Sequence, residues 1–142
     1  MRLALAIAAL LVVLGSPRIA LAADCDKAAL AEWDNNVHDA INSGDERGAI
    51  AMQALMAANA ARVCVAETSG ANRYSWYIRE GTYYSVAAVQ NMDAGNKAAA
   101  RDFFTQAIAA LKQAASRSAP VDVQKGAKRQ LQMVRGLLRD LH

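Results

Sequence analysis

From Ile41 to Cys64 the chain reads INSGDERGAIAMQALMAANAARVC. A turn at Ser43-Gly44-Asp45 is followed by a long run dominated by Ala, Leu and Met, residues that lose little conformational freedom in a helix. Working outward, Cys25 stands 19 residues before Gly44 and Cys64 stands 20 after it. In an antiparallel pair of helices, residues equidistant from the turn end up side by side. The only two cysteines are therefore placed to form one disulfide across the open end of a helical hairpin. The close Cys-x-x-Cys spacing of thiol oxidoreductases is absent.

The same composition extends through the chain. Residues 24 to 142 contain 26 Ala and only three Thr, which favours helix and disfavours strand. Turn signals at Ser43 to Asp45, Thr68 to Gly70, Asp93 to Asn96 and Ser116 to Pro120 predict helices near 26–42, 45–66, 71–93, 97–117 and 121–141. Gly81 lies inside the third, where it costs about 1 kcal/mol relative to Ala and is a candidate break. The expected fold is all-α: two long antiparallel helical hairpins and a C-terminal amphipathic capping helix, or a compact bundle. With 142 residues and 54% hydrophobic content, residues 24 to 142 make a single helical domain.

The first 23 residues, MRLALAIAALLVVLGSPRIALAA, combine a cation at Arg2, an apolar run from Leu3 to Leu14, breakers at Gly15 and Pro17, and Ala20-Leu21-Ala22. That pattern is expected to be a signal peptide cleaved after Ala22 or Ala23. The apolar run is short of the roughly 20 residues that span a bilayer. No stable membrane anchor is expected there or elsewhere, and Asp24 before Cys25 argues against lipidation. The implied location is exported, periplasmic or secreted. The full chain has a formal charge of +3, and removing Arg2 and Arg18 leaves a nearly neutral domain, too weakly basic for nucleic acid. Its charge is uneven, with acids concentrated before Glu67 and bases after Lys97.

Placing Gly44-Asp45 over Gly95-Asn96, an offset of 51, puts Trp33 on Tyr84, Val37 on Ala88, Ala49 on Ala100 and Met56 on Ala107. The run from Gly95 to Ile108, with Ala100, Phe104 and Ala107, resembles the turn and second helix of a tetratricopeptide repeat. The resemblance covers about residues 29–57 and 80–109 and implies two degenerate units, with Trp33, Ala49, Tyr84, Ala100, Phe104 and Ala107 between helices. Gln53 and Asn91 stand where the family has aromatic residues. The family's concave groove would fall on Ala31, Asp34, His38, Ile41 and Asn42, and on Thr82, Ser85, Val89, Met92 and Asp93. This implies a peptide or protein partner gripped on a mildly acidic floor with apolar ledges.

Other constellations give alternatives. Tyr74, Trp76, Tyr77, Tyr83 and Tyr84 form an aromatic belt, either a stacking wall for a ligand or a packed helix interface. Asp34 and His38, four apart, are half of a metal or proton-transfer site, or a solvated pair. The last helix carries Lys125, Lys128, Arg129, Gln132, Arg135 and Arg139 opposite Ala127, Leu131, Val134, Leu138 and Leu141, as a cap, a helix lying on an anionic membrane or an acidic partner's site requires. No metal-ligand spacing, phosphate loop or nucleophile elbow occurs. The expected function is a non-enzymatic interaction module with no catalytic residues, cofactor or metal. The alternative is a helical bundle that binds a small apolar ligand or a metal ion.

Overall fold

A computed structural model describes residues 25–141. Among these the chain is all-helical, with five helices: α1 Lys27–Asn42, α2 Arg47–Glu67, α3 Gly70–Asp93, α4 Lys97–Ala114 and α5 Val121–Arg139. The expected signal peptide and its cleavage site lie outside the described residues. Asp26 caps α1, its carboxylate accepting from the Ala29 amide at 2.9 Å. Gly44 and Gly95 turn the chain at φ of 72° and 80°, a left-handed conformation that side-chain-bearing residues avoid. The α4 helix ends at Ala114, three residues before the expected limit, and the chain crosses Ser116 to Pro120 before α5 begins.

The centre of the molecule is α3, which packs against α2 on one side and α4 on the other, while α5 lies on α4 and touches α3. Cys25 is bonded to Cys64 with Cα atoms 5.3 Å apart, so the start of α1 lies beside the end of α2. Successive contacts of α1 with α3 step in one direction along both helices. The Cys25 carbonyl accepts from Asn72 and Trp76, and Asp34 accepts from Arg79 and Tyr83. The two helices therefore run parallel.

Alanine makes this close packing possible. Ala54, Ala57, Ala58 and Ala61 of α2 are fully buried, as are Ala87 and Ala88 of α3 and Ala100, Ala107 and Ala114 of α4. Trp76, Tyr83, Phe104, Leu111 and Val134 fill the space between backbones. In α2 the positions Ile50, Ala54, Ala57, Ala61 and Cys64 are buried, and in α4 Ala100, Phe104, Ala107, Leu111 and Ala114 repeat the same spacing.

Three expectations need correction. Gly81 does not divide α3, which is continuous; it marks a close approach, since a Cβ there would stand 2.5 Å from Cγ of Leu111. Ala49 and Met56 are exposed and Trp33 only half-buried. For Ala49 and Met56 the physical reason is one extra residue between Gly44 and α2, which begins three positions after its glycine where α4 begins two after Gly95. This turns α2 by about 100° relative to the offset of 51 and brings Ile50 in place of Ala49 to the core. Finally, α2 is by length and composition able to cross a membrane, contrary to the expectation that no second segment could. Of its most apolar 18-residue stretch, 44% is buried against the rest of the protein.

Candidate functional site

A groove of about 360 Å³ opens where α1, α3 and α5 meet. Its floor is α3, through Thr82, Ser85, Val86, Val89 and Gln90. Ile41 of α1 forms one wall, and Gln130, Met133 and Leu137 of α5 form the other. The helical repeat explains the floor: residues 82, 85/86 and 89 are spaced to share one face of α3. On α5, residues 130, 133 and 137 form a second row beside the buried stripe of Ala127, Leu131 and Val134.

The polar atoms of the floor are mostly engaged inward. The Ser85 hydroxyl donates to the Gly81 carbonyl at 2.7 Å. The Thr82 hydroxyl is shared between the Ile78 carbonyl at 2.8 Å and Oε1 of Gln130 at 3.0 Å, which ties α3 to α5. The side chain of Gln90 and the amide nitrogen of Gln130 have no partner among the described residues and remain to offer hydrogen bonds. No charged side chain lines the groove.

Of the residues predicted for this surface, Ile41, Thr82, Ser85 and Val89 meet in the groove, and Asp34, His38, Asn42, Met92 and Asp93 do not. Asp34 lies between α1 and α3, where Nε of Arg79 donates to its two oxygens at 3.0 and 2.8 Å and the Tyr83 hydroxyl donates at 2.6 Å. Burial pushes the Tyr83 hydroxyl's ionisation well above its ordinary value, and the hydrogen bond to Asp34 pushes it further. Tyr83 is therefore a fixed proton donor to a carboxylate whose charge Arg79 already matches. The floor is thus neutral, unlike the mildly acidic one that the resemblance implies. His38, Asn42 and Asp93 are exposed, and the Asp93 carbonyl accepts from Arg47. Met92 is half-buried and packs against the core.

The aromatic belt divides. Trp76, Tyr83 and Tyr84 are buried, and Trp76 donates from its indole nitrogen to the Cys25 carbonyl at 3.2 Å. Tyr84 stacks on Phe103 with centroids 6.3 Å apart, and the guanidinium of Arg62 stands 5.4 Å from its ring centroid. Only Tyr74 and Tyr77 are left half-exposed, as a tilted pair 6.3 Å apart. Below the Arg62–Tyr84 contact, Glu80 is buried and accepts from Nε of Arg62 at 3.0 Å. Desolvation raises the Glu80 carboxyl above its ordinary range, and Arg62 partly offsets that.

A second, more open hollow of about 520 Å³ runs along α5 between Lys128, Leu131, Gln132, Arg135, Leu138 and Arg139. The sequence pattern had assigned these cations to the solvent side. It had missed Val86, Gln90, Gln130, Met133 and Leu137 in the first groove. The spacing of 130, 133 and 137 was a usable signal, obscured by the stronger stripe next to it. Among the described residues no cluster of His, Cys, Asp and Glu is arranged to hold a metal ion. Compared with protein-family models, curated proteins and solved structures, the chain matches none.

Proposed function

We propose that this protein is a non-catalytic helical interaction module, exported, that holds an uncharged, aliphatic-rich peptide segment in the groove of α1, α3 and α5. The observation that carries the reading is the groove's lining: apolar side chains from three helices, two amide side chains, and no charge. Apolar ledges bury a ligand's aliphatic groups, while Gln90 and Gln130 are placed to pair with peptide N–H and C=O groups. Export is supported by the Cys25–Cys64 bond, which fits an oxidising compartment.

The tetratricopeptide-like arrangement belongs to the same proposal. In it α1–α2 and α3–α4 are two hairpin units and α5 closes the second. Support comes from the matching burial spacing of α2 and α4 and from the groove's position on the first helix of each unit. The single test is selection from a displayed peptide library on the purified protein, with Ile41→Glu and Met133→Glu as controls. Both residues are exposed, so neither substitution places a charge in the core. Enrichment of uncharged segments with two aliphatic residues, lost in both variants, is expected. Equal binding by the variants would place the interface elsewhere.

A further inference from the structure

The α2 helix has a second apolar seam on the side away from the core. Ala49, Met52, Met56, Asn59, Val63 and Ala66 recur at intervals of three and four, and all are exposed, Met52 by 64% and Met56 by 52%. Between Arg47 and Glu67 the only charged side chain is Arg62, which lies beside this seam. A helix at the outside of a protein normally carries charge on its outer face, and one that is apolar all round is covered on both sides.

We propose that this seam is an interface between two copies of the chain, whose α2 helices pack in parallel as a short two-stranded coil. The spacing assigns Ala49, Met56 and Val63 to one set of knobs and Met52, Asn59 and Ala66 to the other, over about 26 Å at 1.5 Å per residue. Two features select an identical copy in parallel register. Asn59 is the one polar residue in the seam, and once covered it needs an amide at the same level, which Asn59 of the other copy supplies. Arg62 and Glu67 flank the seam five residues apart, the separation at which flanking charges meet across a parallel pair. The side chain of Arg62 remains 56% exposed beside its contacts with Glu80, Gln106 and Tyr84, so the carboxylate of Glu67 from the other copy can reach its outer edge. In the antiparallel arrangement Glu67 would face Glu46 and Asn59 would face Met56, leaving a like-charge pair and an unpaired amide.

The proposal is independent of the groove, to which α2 contributes no residue. Sedimentation velocity on the purified, disulfide-intact protein, from micromolar to near-millimolar concentration, tests it. A reversible monomer–dimer equilibrium is expected. Met56→Glu and Met52→Glu should remain monomeric throughout with unchanged helical circular dichroism, and Glu67→Arg should weaken association about three- to tenfold at low salt. Asn59→Cys should be trapped as a dimer by a short thiol cross-linker. A wild type that stays monomeric at every concentration would overturn the proposal, as would a dimer that both Met variants leave intact. Monomeric protein that pelleted with phosphatidylcholine–phosphatidylglycerol vesicles, losing this with Met56→Glu, would assign the seam to a membrane surface instead.

Discussion

Substituting Gly81 by Ala sets two effects of known sign against each other. In a helix interior Ala is favoured over Gly by about 1 kcal/mol, because it removes backbone freedom from the unfolded chain. At this position, however, the new Cβ would lie 2.5 Å from Cγ and 2.7 Å from Cδ2 of Leu111, and 3.3 Å from the Ala107 carbonyl. Cγ is the branch point of a fully buried side chain, so Leu111 cannot swing away, and α3 and α4 must separate. Overpacking of this kind costs about 1–3 kcal/mol, which outweighs the propensity gain or at best cancels it. Removing the obstacle reverses the sign. Leu111→Ala alone should lose about 2–5 kcal/mol to the cavity, but in that background Gly81→Ala should recover about 1 kcal/mol. Urea denaturation of the four proteins in this double-mutant cycle gives the coupling directly. A Gly81→Ala protein more stable than wild type would refute the close approach. Additivity within about 0.3 kcal/mol would show that the two positions do not touch.

Loss of the disulfide in a Cys25→Ala/Cys64→Ala variant should cost up to about 4 kcal/mol by chain entropy for a separation of 39 residues. Hydrogen exchange should show α1 opening before the rest, because its remaining ties to α3 are few. Tyr83→Phe deletes a buried donor to a carboxylate and should destabilise by about 1.5–3 kcal/mol in thermal or urea unfolding, with Arg79 still holding Asp34. Glu80 has its pKa raised in the fold, so its contribution favours folding most below the ordinary carboxyl value and is lost as pH rises through the raised one. Glu80→Gln should therefore flatten the stability–pH curve above about pH 4.5 while keeping an acceptor for Arg62, as a urea series at several pH values will show.

The helices themselves were legible in the sequence because Ala-rich runs and Gly turns are local signals, and the observed ends fall within a few residues of those expected. The disulfide was legible because position along a hairpin is a simple length argument. Burial of individual alanines was legible in α4, where Ala100 and Ala107 are buried as expected, and not in α2, where Ala49 and Ala51 differ only in which way one extra loop residue turns the helix. The polar site was half legible. Asp34 was picked out beside His38, four residues away on the same helix, yet its partners Arg79 and Tyr83 come from α3 and are brought there only by the fold. The groove's far wall is not legible for the same non-local reason: Gln130, Met133 and Leu137 fall between the apolar stripe and the basic face that the sequence of α5 displays.

These non-local ties answer a problem that an alanine core creates. Small side chains allow close approach of helices, but Ala facing Ala offers nearly the same contact after a shift of one turn, so packing alone specifies register weakly. Ion pairs and hydrogen bonds between named atoms do not survive such a shift. They occur here on both sides of α3: Asp34 with Arg79 and Tyr83 toward α1, Glu80 with Arg62 toward α2, and Thr82 with Gln130 toward α5. The Arg62 guanidinium goes on to Gln106 at 2.8 Å, which extends the same network to α4. Glu80 is penalised by burial, so stability alone does not explain a carboxylate at that position. Fixing the register of α2 against α3 does, and a core of larger, shape-distinct side chains would have had less need of it.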